Sequence, residues 1–195
     1  MSRKKAREIV LCLVFLKDCH GDVGCEKLYS ELFENFSVEE LCDSFGEKAE
    51  KNANRSTCNE HEQSSCADLC KPAHERHMNE VHIGSCHANR STLRKADEDY
   101  IKSTFFGVFE NIGRIDGIVS ECVVGWQYGR ISKISMAILR TAAYEILYAE
   151  DVPALVAINE AVELSKRYDD PEAYLFVNGV LGAVMKCKDK DAKDG

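Results

Sequence analysis

Apolar residues recur at helical spacing through most of the chain, and strand-like alternation is scarce. This pattern predicts an all-α protein. It is clearest over residues 137–184, which read as three helices joined by short turns. In the first, Ile138, Ala142, Glu145 and Ile146 fall at helical spacing, and Leu139, Ala143 and Leu147 widen the apolar stripe. Pro153 then sits at the opening of a second helix, where its fixed φ is tolerated. That helix puts Ala157, Ala161, Leu164 and Tyr168 on one face, and Glu163 precedes Arg167 by the four residues that favour an ion pair. Asp170 and Pro171 restart the chain as cap and first helical residue. The third helix carries Val177, Val180, Leu181 and Val184 on its core face, with Phe176 one position off it. Gly179 in that helix costs about 1 kcal/mol relative to alanine, which suggests a close packing contact.

The same periodicity organises the flanks. Ser2 can cap a first helix in which Ile9, Val10, Leu13, Leu16 and their neighbours are apolar nearly all round, the mark of deep burial. A short amphipathic helix follows over 25–33, and Ser37 with Glu40 forms a capping box for another that packs through Leu41 and Phe45. Residues 99–124 read as one long helix with a stripe from Ile101 and Phe105 to Val119 and Cys122. Between these blocks, over 47–97, large apolar residues nearly vanish and Asn, Ser, His and Cys rise. Such a stretch buries too little apolar surface to offset chain entropy, so disorder or loose helix is expected. The pentapeptide Ala-Asn-Arg-Ser-Thr occurs in it twice, at 53–57 and 88–92. The division expected is therefore 1–46, N-terminal helices; 47–97, an insert; 98–186, a central helix and a C-terminal helical half; and 187–195, a charged tail.

Charge adds a functional hint. The formal net charge is −8, which as a total argues against nucleic acid. Yet four of the first seven residues, Arg3, Lys4, Lys5 and Arg7, are cationic, and no acid precedes Glu8. Cations at a helix N-terminus oppose the helix dipole by roughly 0.3–1 kcal/mol each at exposed sites. Phosphates that release counterions on binding would offset this cost.

The chain has 10 cysteines. Cys12, Cys19, Cys25, Cys42, Cys122 and Cys187 are scattered without regular spacing and read as free thiols of a reducing, cytoplasmic compartment. The insert adds cysteines and histidines. Cys66, Cys70, His74 and His77 are the best zinc ligands it offers, but no paired Cys-x2-Cys accompanies them and the spacing fits no standard zinc module. No cofactor is expected otherwise. The apolar run 9–16 is too short to cross a membrane and ends in Lys17-Asp18 without a cleavage signal.

Three words in the C-terminal half carry a family resemblance: AILRTAAYEILY, DVPALVAINEAVELSKRY and FVNGVL. Together with the helix SRKKAREIVLCLVF they resemble the bacterial transcription antitermination factors of the NusB family. The resemblance covers the N-terminal helix and the chain from about Ile101, and breaks over 47–97. It implies an all-α fold of two helical half-domains and a binding protein rather than an enzyme. The implied ligand is the boxA segment of ribosomal RNA transcripts. The implied partners are NusE, a ribosomal protein, together with other Nus factors and the elongating RNA polymerase. It places Arg3, Lys4, Lys5 and Arg7 at the family's RNA-contacting basic helix. Phe15 and Phe176 then stand where aromatics approach the RNA. Acids of the C-terminal helices, Glu145, Asp151 and Glu160, are the candidates for a partner face. By pattern alone both phenylalanines are core residues, and Arg130 and Arg140 read as intramolecular ion pairs. Two other readings of the sequence stand beside this one. A ribosomal RNA methyltransferase carrying a domain of this type would need a glycine-rich cofactor loop and a sheet pattern, neither of which is present. A metal- or redox-responsive interaction module, with the insert as sensor and no RNA binding, is the alternative the cysteines and histidines leave open.

Overall fold

The computed structural model describes residues 3–19, 21, 23–35, 94–123 and 131–194. The described residues form seven helices and no strand: α1 (Arg3–Cys19), α2 (Cys25–Asn35), α3 (Lys95–Glu110), α4 (Ile112–Cys122), α5 (Lys133–Tyr148), α6 (Ala154–Tyr168) and α7 (Ala173–Asp194). The expected all-α class is what the structure shows. The capping box at Ser37, the packing of Leu41 and Phe45, Arg130 and the four zinc candidates Cys66, Cys70, His74 and His77 lie outside the described residues.

Two helices carry the core. In α1, residues 6–14 are buried without interruption, as an all-round apolar sequence requires. Ile9, Leu11 and Leu13 are fully covered, and each such side chain contributes about 1.5–3 kcal/mol on leaving water. The second is α5, which packs against α1, α3, α4, α6 and α7. Its small residues Ala137, Ala142 and Ala143, all buried, let neighbours approach from several sides. Helices α1 and α5 run antiparallel, because Arg7 meets Glu145 near one end and Asp18 meets Arg140 toward the other. The N-terminus of α5 is held by Ser132, whose Oγ accepts from the backbone N–H of Ser135 at 2.9 Å. The hydroxyls of Ser132 and Ser135 both donate to Asp169 at the end of α6.

Three local expectations are corrected. The long helix expected over 99–124 is two helices meeting at Asn111, and the first of them begins at Lys95, inside the stretch read as insert. The Asn111 Nδ2 donates to the Gly107 carbonyl at 2.9 Å and competes there with its own backbone N–H. The backbone leaves helical geometry at that residue, with φ −108° and ψ 13°. The last helix starts at Ala173, not at Pro171, with the Ala173 N–H donating to the Asp170 carbonyl. Gly179 makes no close packing contact, since a Cβ there would meet nothing. The glycine that packing demands is Gly107, where a Cβ would collide with the ring of Tyr144.

Candidate nucleic-acid interface

The first two turns of α1 divide by depth. Arg7 lies one turn in, is 5% exposed, and is surrounded by α3, α5 and α6. Its Nε donates to both carboxylate oxygens of Glu145, at 2.9 and 3.2 Å. The Tyr100 hydroxyl donates to Oε1 of the same carboxylate at 2.6 Å. Glu160 lies 3.7 Å from the guanidinium. Burial pushes the Glu145 carboxyl up from its ordinary value, against the pull of Arg7 and of the Tyr100 hydrogen bond. Burial, and next the Glu145 charge, push the Tyr100 phenol far above the usual tyrosine range. This is an interior ion pair with a third, neutral donor. It corrects two expectations together: Arg7 is not presented to RNA and Glu145 is not presented to a partner, because each is the other's buried counterion.

The shallower cations face outward. The guanidinium of Arg3 lies over the Tyr100 ring, 4.4 Å from its centroid, and 3.9 Å from the exposed carboxylate of Asp151. Lys4 is exposed. The Lys5 ammonium lies 3.3 Å from Glu8. Glu8 is itself buried and accepts from Arg167 on α6 at 2.6 Å. One turn away, Lys166 donates to Glu163 at 2.8 Å and lies 5.4 Å from the centre of the Tyr174 ring. Lys166 chiefly, and Lys4 in addition, hold the Glu163 carboxyl below its ordinary value. The Glu163 partner expected from the four-residue spacing was Arg167, but Arg167 is drawn to the buried acid of α1 and Glu163 takes Lys166 instead.

The start of α1 and the last turn of α6 thus form one surface. Arg3, Lys4, Lys5, Lys166 and Arg167 stand on it, partly neutralised by Glu8, Glu163 and Asp151. Each acid expected at a partner face pairs with a cation expected at an RNA face, Asp151 with Arg3, and Glu145 and Glu160 with Arg7. Lys166 and Arg167, which join the α1 cations on this surface, were not singled out by sequence reasoning. The available signal was Glu8, an acid entering an apolar run, which needs a cation from elsewhere once the helix is buried. Phe15 and Phe176 are both half-buried and packed against the core. Phe15 lies eleven residues beyond Lys4, about 16 Å along α1. Phe176 lies in the first turns of α7, the helix that follows α6.

At the far end of α1, Arg140 binds Asp18 and, through Nε and a terminal nitrogen, both oxygens of Asp116 at 2.7 Å. It is therefore the intramolecular ion pair expected of it. No group of three or more His, Cys, Asp or Glu side chains among the described residues could hold a metal ion. No helix among the described residues is long and apolar enough to cross a membrane.

Comparison with known proteins places the chain in a family. A transcription antitermination protein NusB from Ruminiclostridium cellulolyticum is 46% identical over 95 residues, which are 49% of this chain and 66% of that relative, just under two thirds of its length. The Bacillus subtilis transcription antitermination protein NusB is 38% identical over 109 residues, 54% of this chain and 83% of that one. A crystal structure of the antitermination factors NusB and NusE in complex with dsRNA shares the fold. Its TM-score is 0.58 at 19% identity, covering 95% of this chain and 96% of that one. The sequence model of the NusB family matches residues 56–186; it starts within the stretch read as an insert and leaves α1 outside. With two thirds of its length inside that match, the chain belongs to the NusB family.

Proposed function

We propose that this protein is a transcription antitermination factor that binds the boxA segment of ribosomal RNA transcripts together with NusE and joins the elongating RNA polymerase. The observation that carries the reading is the convergence of Arg3, Lys4 and Lys5 from α1 with Lys166 and Arg167 from α6 on one surface of a NusB-family chain. The solved complex of a NusB with NusE and dsRNA supports RNA and NusE as the ligands. Its dsRNA is not the single-stranded boxA proposed here, which rests on the family resemblance.

The mechanism is binding without chemistry. Phosphates approach Lys4 first, then compete with Glu8 and Glu163 for Lys5, Arg167 and Lys166. Each phosphate contact releases a counterion from the RNA. Arg3, steadied on the Tyr100 ring, offers a fork of donors to a phosphate. Phe15 and Phe176 supply faces on which unpaired bases stack, worth roughly 1–3 kcal/mol per base. Asp151, which is exposed, and Glu160, which is half-buried, contribute negative charge toward a basic protein partner.

The test is binding of a boxA RNA, with and without NusE, across a salt series. The expected result is tighter binding with NusE, and a salt slope that flattens in Lys4→Ala and Lys166→Ala. Absence of binding by the folded protein under both conditions overturns the reading.

A further inference from the structure

We propose that Cys122 and Cys187 form a reversible intrachain disulfide, made and broken by exchange with low-molecular-weight disulfides and thiols, that latches α4 to α7. Cys122 is the last residue of α4, and Cys187 lies in the C-terminal part of α7, 65 residues further along the chain. Their sulfurs are 3.9 Å apart in a thiol–thiol contact. A disulfide spans about 2.05 Å, so the two sulfurs must close by under 2 Å, within reach of side-chain rotation.

The surrounding packing holds the sulfurs in place. Helix α4 packs on both α5 and α7. The next residue after Cys187, Lys188, donates to the Ile146 carbonyl at 2.6 Å and ties this part of α7 to the end of α5. Both cysteines are only half-buried, so a small disulfide reagent can reach them.

The exchange balances. A thiolate of the pair attacks one sulfur of an external disulfide, RSSR, forms a mixed disulfide and expels RS⁻. The second cysteine loses its proton and attacks the protein-side sulfur of that mixed disulfide, expelling a second RS⁻. The two protons end on the two RSH released. The protein pair is oxidised by two electrons, and RSSR is reduced by two. Excess RSH reverses both steps. Burial, then the neighbouring Cys187 sulfur and Glu121, push the Cys122 thiol up to about 11. This cysteine therefore rests as the thiol at neutral pH, and its reactivity grows as pH rises.

Closure would tie a long loop and constrain the unfolded chain. Neither cysteine belongs to the cation surface of α1 and α6, and Cys187 lies eleven residues, about 16 Å, along α7 from Phe176. The latch is thus independent of the RNA reading.

The test uses the full chain, reduced with dithiothreitol and then equilibrated with oxidised glutathione. It is digested without reduction and mapped by mass spectrometry. The expected result is a peptide joining Cys122 to Cys187, lighter by two hydrogens than its parts. It should come with a rise in Tm of roughly 10 °C that dithiothreitol reverses and that Cys187→Ser lacks. Recovery of Cys122 and Cys187 as separate glutathione adducts, as free thiols, or joined only to other cysteines would overturn the proposal. The peptide map of the unsubstituted protein decides this even if a serine variant fails to fold.

Discussion

The two ends of the α1–α5 pair are each pinned by an arginine, with opposite polarity. Near the start of α1 the cation is Arg7 and the acid, Glu145, comes from α5. Near its end the acid is Asp18 and the cation, Arg140, comes from α5. The ends differ in depth. Arg7 and Glu145 are almost wholly covered, whereas Arg140, Asp18 and Asp116 keep part of their surface in water. Both nodes fix the register of two antiparallel helices, but an interior charge left alone has no solvent to turn to. The same substitution should therefore cost more at the covered end.

The largest effect expected is from Arg7→Ala. It leaves Glu145 buried without its cation and should destabilise by about 3–5 kcal/mol, read as a lowered denaturation midpoint. Arg140→Ala removes hydrogen bonds to charged groups that water can partly replace, and should cost about 1.5–3 kcal/mol. Equal losses would mean that depth is not what separates the nodes. A double replacement, Arg7→Met with Glu145→Leu, sharpens the point. Removing both charges together should recover most of the single-variant loss, because the penalty lies in the orphaned charge.

Tyr100 makes the covered node sensitive to alkali. Its folded pKa lies above the unfolded value near 10. Its contribution is therefore complete below pH 10 and shrinks as pH rises beyond it, by about 1.4 kcal/mol per pH unit, because the unfolded chain ionises where the folded one cannot. Tyr100→Phe should cost about 1–2 kcal/mol at neutral pH through the lost hydrogen bond to Glu145. It should also flatten the decline in stability between pH 10 and 11. An unchanged alkaline limb would place that decline on other groups.

The contrast also shows what could be read from sequence. Deep burial of α1 followed from an apolar run with no polar stripe, and the helices observed at 133–148 and 154–168 followed in the main from the apolar spacing read over 137–184 and from Pro153 at the opening of the second. Arg7 was read with Arg3, Lys4 and Lys5 as one cationic run, and it does share a helical face with Arg3 and Lys4, three or four residues away. One turn of depth, not direction, separates them, and depth depends on what packs around the helix. The sequence did hold a clue in Glu145, an acid on the stripe of Ile138, Ala142 and Ile146, which cannot be buried without a cation. Glu8 gave the same clue for Arg167. The Cys122–Cys187 contact had no such clue, because it brings together two helices 65 residues apart and neither neighbourhood is unusual.

A smaller effect tests the outward half of the basic run. Lys4 is exposed and close to Glu163. Lys4→Ala should change stability by less than about 0.5 kcal/mol, while lowering the slope of log affinity against log salt by roughly 0.7 for single-stranded RNA. Arg7→Ala should show the reverse, a large stability loss with any RNA effect following from unfolding. Loss of RNA affinity in a fully folded Arg7 variant would undo the division by depth.

The last contrast concerns two helical glycines with opposite surroundings. Gly107 faces the Tyr144 ring and has no room for a methyl group, whereas Gly179 faces open space on α7. A glycine inside a helix is less favourable than alanine by about 0.5–1 kcal/mol, because the unfolded chain has more freedom to lose. Gly179→Ala should therefore stabilise by about that amount, read as a slightly higher Tm, while Gly107→Ala forces the Tyr144 ring aside and forfeits the gain. Gly179 lies one turn beyond Phe176, and no internal contact requires it. If Gly179→Ala stabilises the free protein yet weakens boxA or NusE binding, the methyl group is excluded by a ligand rather than by the fold. The interface then extends from the α1 and α6 cations along α7. If it stabilises and leaves both affinities unchanged, α7 beyond Phe176 lies outside the interface, and binding is confined to the converging ends of α1 and α6.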